Sequence, residues 1–141
     1  MFKKIFSKKS KNNTIESNVL VAALLVHAAQ IDEKYTEIEK RIIKKALIKL
    51  YNVKEEESED LINKAEKIEK ESNQIIGFTK EIKKNSMEFR LKVIEILWII
   101  VYSDGANDSY ESNLIRRVCG LLYVSDKDNG IIKAKVKNLI I

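Results

Sequence analysis

Apolar residues recur every three or four positions through most of this chain, a spacing that marks amphipathic helices rather than strands. Ile38, Ile42, Ile43, Ala46, Leu47 and Leu50 predict one helix over about 37–51. Leu61, Ile62, Ala65 and Ile68 make the thin stripe of an acidic helix over about 55–71, and Ile75, Ile76, Phe78 and Ile82 a short one over about 74–84. Two segments are apolar nearly all round, residues 15–30 and a helix running to about 102, which is the signature of a buried helix. Further helices follow over about 109–123 and from near Ser125, the last using Ile131, Ile132, Val136 and Leu139. Asn13 with Glu16, Thr36 with Glu39, Asn85 with Glu88, and Asp108 with Glu111 are spaced as capping boxes. The expectation is an all-α fold of about seven helices.

Two stretches repeat one pattern. Residues 20–53 align without a gap onto 92–125 at an offset of 72. Val21 matches Val93, Leu25 matches Leu97, Ile43 matches Ile115, Leu50 matches Leu122 and Tyr51 matches Tyr123. Asp32 falls on Asp104, and Glu39 on Glu111. Each half, about 17–53 and 89–125, reads as helix, acidic turn, helix, so the fold is expected to be one domain over 14–141 with an internal pseudo-two-fold. The repeat also settles how "VLVAALLVHAA" is read. It has the composition of a secretion signal, but its partner segment is internal, so a core helix is expected.

Composition supports this. The 141 residues contain no proline and four glycines, the usual helix breakers. The single cysteine, Cys119, permits no intramolecular disulfide. The net charge of +5 is local: Lys3, Lys4, Lys8, Lys9 and Lys11 fall in the first eleven residues. Taking those five from the 26 basic residues leaves 21, against 21 acidic ones. A neutral body argues against a nucleic-acid partner, whose binders carry basic charge on the domain itself. Residues 1–13 read as a basic, flexible tail that could touch an anionic membrane surface through its lysines.

The candidate chemistry lies in the acidic turns. Glu39 and Glu111 satisfy their own helix starts as box glutamates, and acids there suit the positive end of the helix dipole. Asp32 and Asp104 are different. Each is placed at a helix C-terminus, where a carboxylate is disfavoured by ~0.3–1 kcal/mol. An oxygen-preferring cation would offset that, so Asp32, Glu39, Asp104, Asp108 and Glu111 are the candidate metal ligands. Calcium, magnesium or manganese suits such donors. Zinc does not, with one histidine and one cysteine in the chain. An EF-hand fails on spacing, since counting from Asp104 puts Ala106, Ser109 and Ile115 where that loop needs a ligand, a glycine and a glutamate. The alternative is that the acids only cap helices.

"HAAQIDEKYTEIEKRII" and "VYSDGANDSYESNLIRRVCGLL" resemble the TerB-like family, the tellurite-resistance B proteins and the related domain of a DnaJ-like membrane co-chaperone. The resemblance covers roughly residues 17–139. It implies an all-α, pseudo-symmetric fold and a cytoplasmic module linked to membrane-associated stress machinery. It also implies metal binding, carried here to Asp32, Glu39, Asp104 and Glu111, with Asp108 matched by Thr36 in the first half. Glu33 departs from the family pattern, standing where a glycine is expected.

Other residues read as structure. His27, Trp98 and Cys119 fall on apolar faces, Lys44 and Lys45 on a solvated one, and Glu95 at an edge within reach of Lys92 or Arg90. No Ser-His-Asp order, glycine-rich phosphate loop or Cys-His pair appears, which points away from an enzyme. A hydrolase using clustered carboxylates is the one enzymatic chemistry left open. The expected function is a non-enzymatic module that engages protein partners, at the inner face of the membrane or in the cytoplasm. Its two very apolar helices leave room for a homodimer.

Overall fold

The structure, a computed structural model, describes residues 17–31, 35–71, 75–103 and 109–140. Among these the chain forms seven helices and no strand. They are α1 (17–30), α2 (Glu37–Tyr51), α3 (Glu55–Glu71), α4 (Ile75–Ile82), α5 (Met87–Ser103), α6 (Ser109–Leu121) and α7 (Asp126–Ile140).

The core is built around the two most apolar helices. Val21, Ala22, Ala23, Leu24, Leu25 and Val26 are consecutive in α1 and all wholly buried. A helix can bury six residues in a row only when neighbours cover every side of it. α5 contributes Val93, Ile94, Leu97, Trp98, Ile100 and Val101 to the same core. It packs against α7, α2 and α6, while α3 covers α2 and α4 covers α6.

Trp98 is buried as its position in the stripe predicts, and its polar atom is satisfied. The indole Nε1–H donates to Asn129 Oδ1 on α7 at 2.8 Å. Its ring stacks on Tyr102, with centroids 5.8 Å apart.

Local signals set most helix ends. α2 starts in a complete Thr36–Glu39 capping box, and the Ser125 hydroxyl accepts from the Asp128 N–H to start α7. The start of α5 differs from the expected Asn85–Glu88 box. Ser86 is the cap, its hydroxyl accepting from Phe89 N–H at 3.2 Å. Asn85 instead closes α4, its side-chain amide donating to the carbonyls of Glu81 and Ile82. One residue ends a helix and the next begins another. The Asn13–Glu16 box lies outside the described residues, as does the cap position of the Asp108–Glu111 box.

α6 ends in a full Schellman motif. Val124 N–H reaches the Cys119 carbonyl and Tyr123 N–H the Gly120 carbonyl, with Tyr123 in the left-handed region at φ 57°. Asn52 ends α2 at φ 51°. Arg90, near the start of α5, donates to the Leu122 carbonyl at 2.7 Å, tying the two helices together there.

Candidate functional site

The first acidic turn is described on its α2 side. Thr36 is extended (φ −89°, ψ 162°), so its hydroxyl points along the helix axis toward the free N–H groups. Glu39 N–H donates to Thr36 Oγ1 at 3.1 Å. Glu39 Oε1 in return accepts from the Thr36 N–H at 2.9 Å and from its hydroxyl at 3.0 Å. The sequence-predicted box is therefore present in both directions.

Its burial is less ordinary. Glu39 is only 1 % exposed, although box glutamates sit at the solvated start of a helix. An ionised carboxylate taken out of water needs hydrogen bonds or positive charge close by. Here the Thr36 donors and the positive end of α2 supply some of both.

The repeat is visible at backbone level in the starts of α2 and α6. Glu111 is the third residue of α6, as Glu39 is the third of α2. Asp32, Asp104 and Asp108 lie outside the described residues, and so does the side chain of Glu111. Of the five candidate ligands, the side chain of Glu39 alone is placed. Among the described residues no three His, Cys, Asp or Glu side chains come together in a way that could hold a metal ion.

Periodicity missed a set of polar ties between helices. His27 Nδ1 on α1 lies 3.1 Å from Glu69 Oε1 on α3, and its ring meets the edge of Phe78 on α4. His27 is thus a structural joint of three helices, as its apolar surroundings suggested. Lys40 reaches Glu66 at 3.1 Å, and Tyr35 approaches the same carboxylate at 3.5 Å. Burial, and then Glu66, push the Tyr35 phenol upward.

Lys44 was expected on a solvated face. At that surface it bridges from α2 to the exposed Glu55 (2.8 Å) and Glu59 (2.7 Å) on α3, which raises its pKa and lowers that of Glu55. Glu95 pairs with Lys135 of α7 at 3.3 Å rather than with Lys92 or Arg90. These acids of α3 hold it onto α1 and α2. No spacing rule exposes such pairs, because their partners lie far away in sequence.

Cys119 is buried, as read. Burial and then the nearby Asp126 push its thiol up to about 12. A thiol held protonated this way is no nucleophile. Among the described residues no helix is long and apolar enough to cross a membrane.

A model of the family described as tellurite resistance protein TerB matches residues 18–134, most of the chain. No curated protein matches the chain, and no solved structure does.

Proposed function

The chain belongs to the TerB family, and from that premise we propose a non-enzymatic helical module that holds a divalent cation at its paired acidic turns and works by engaging partner proteins. The observation that carries the cation is the burial of Glu39, 1 % exposed at the mouth of the first turn. A carboxylate held there, already out of bulk water, is the kind of oxygen donor a hard cation takes. Asp32 and Glu39 would supply oxygens from the first turn, and Asp104, Asp108 and Glu111 from the second. The donors are all oxygens, so the ion is calcium, magnesium or manganese rather than zinc. Bound there, it would tie the two halves of the repeat at their turns.

The complete capping box favours a second reading, in which the acids serve only their own helices and the protein is an adaptor without metal. One titration separates the two. The melting temperature is followed with calcium, magnesium, manganese and zinc, for the protein and for Asp32→Ala combined with Asp104→Ala. Native-state binding raises stability by mass action, so one hard cation should raise the midpoint of the parent and not of the variant. Flat curves for both proteins select the adaptor.

We place the module in the cytoplasm, in a stress-response complex at the inner membrane surface. Lys3, Lys4, Lys8, Lys9 and Lys11 would contribute about 1 kcal/mol each near anionic lipid. Deleting residues 1–11 should abolish sedimentation with anionic liposomes, and unchanged sedimentation would remove the membrane from this proposal.

A further inference from the structure

Between α2 and α5 runs an open groove of about 570 Å3. Its floor is apolar: Ile42, Ala46 and Leu50 from α2, Ile96 and Ile99 from α5. Lys45, Lys49 and Lys92 stand exposed on its rim. Lys45 and Lys49 make no ion pair among the described residues, and Lys92 only a long one of 3.8 Å to Glu88. The one acid on the rim, Glu95, is taken up by Lys135.

The internal repeat shows what such a groove accepts. At the offset of 72, Ile42 and Ala46 correspond to Leu114 and Val118 of α6, Leu50 to Leu122 just past its end, and Ile96 to Leu24 of α1. Those four counterparts are buried, whereas Ile42, Leu50 and Ile96 are only half-buried. On that half of the repeat lies α4. It packs on α6, and its Phe78 meets His27, the counterpart of Ile99. The inward stripe of α4 is Ile75, Phe78 and Ile82, all buried. One half of the repeat therefore has its surface covered by a short amphipathic helix of its own, and the other half does not.

We propose that the α2–α5 groove is the docking site for an acidic amphipathic helix of a partner protein, presenting apolar side chains at the i, i+3, i+7 spacing of α4. The apolar floor takes the stripe, and the three rim lysines select acidic flanks. The chain's own acidic amphipathic helix, α3, is already packed on α2, and two other apolar stretches carry the wrong charge. The N-terminal stretch carries Phe2, Ile5 and Phe6 among five lysines, and the exposed Ile131 and Leu139 of α7 sit among Lys127, Lys135 and Lys137. Like charge on the rim repels both. The inference rests on the partner-engaging reading above but not on its cation.

The test uses the full chain and two labelled synthetic peptides of about 14 residues, long enough to hold a helix. Both carry Ile, Phe and Ile at the α4 spacing; one has glutamates at the flanking positions and the other lysines. In fluorescence anisotropy, the acidic peptide should bind, more weakly as salt rises, and the basic one should not. Lys45→Glu with Lys49→Glu should weaken the acidic peptide roughly tenfold and admit the basic one. Both lysines are exposed, so this variant should keep the parent's melting temperature, whereas Ile96→Asp should abolish binding and also lower stability.

Failure of the acidic peptide to bind, or equal binding of both peptides, overturns the proposal. So does self-association that Lys45→Glu abolishes, which gives the groove to a second copy. Tighter peptide binding after deletion of residues 1–13 overturns it as well, because it gives the groove to the tail. Peptide binding is measured with and without EDTA. A failed peptide beside a cation-dependent melting shift leaves the acidic-turn reading standing and removes only the groove.

Discussion

Thr36 and Glu39 cap one another across the first turn of α2, and the glutamate that completes this exchange is buried rather than solvated. The two roles open to Glu39 respond differently to mutation. A capping box accepts glutamine, whereas a cation site needs the carboxylate. Glu39→Gln should therefore keep most of the stability measured in EDTA but lose any cation-dependent rise in melting temperature. Thr36→Ala removes the cap itself and should cost about 1 kcal/mol with or without metal.

Trp98, the only tryptophan, donates to Asn129 from a site 2 % exposed. Asn129→Ala leaves that buried indole N–H without its acceptor. The expected cost is about 1–3 kcal/mol, the penalty for an unsatisfied buried donor. Thermal unfolding should show it as a drop of several degrees, roughly 3 °C per kcal/mol in a chain this long. Native tryptophan fluorescence should meanwhile keep its blue-shifted maximum.

Tyr123 holds a left-handed backbone that costs a non-glycine residue about 1–2 kcal/mol. Its exposed ring, with Lys83 Nζ at 5.1 Å, returns only about 0.5–1 kcal/mol. Tyr123→Gly should thus be neutral to mildly stabilising in a chemical denaturation curve. Asn52→Ala, at the corresponding end of α2, should be destabilising, since it replaces a residue suited to this conformation by one that is not.

Alkaline pH should weaken the fold. The Cys119 thiol is moved from its ordinary 9.0 to about 12, chiefly by burial, and the phenols of Tyr35 and Tyr51 are raised by burial too. Between the two thiol values the folded state holds a proton that the unfolded chain has lost, so stability falls as pH rises from about 9 to about 12. Denaturation midpoints at pH 8 and pH 10.5 should differ in that direction. Iodoacetamide should label Cys119 only at the rate at which the protein opens.

Each helix could be read from the chain because its determinants are local. The Thr36–Glu39 box, the Leu61–Ile68 stripe and the all-apolar face of α1 lie within a few residues of one another, and each element forms where they place it. Even the misplaced cap at α5 was a local matter: Asn85 and Ser86 are adjacent and both able to cap, and the hydrogen bonds divided the work between them.

The sequence by itself determined the helices, the repeat and the central place of α1 and α5, because helix formation and the need to bury apolar faces depend on i, i+3 and i+4 neighbours. Only the tertiary structure decided how those helices are turned toward one another. It chose Glu69 for His27, Glu55 and Glu59 for Lys44, and Lys135 for Glu95. It also laid α4 over one half of the repeat and left the matching groove open on the other. Charge pairs and grooves are set by the rotation and crossing of whole helices, which no short-range spacing encodes.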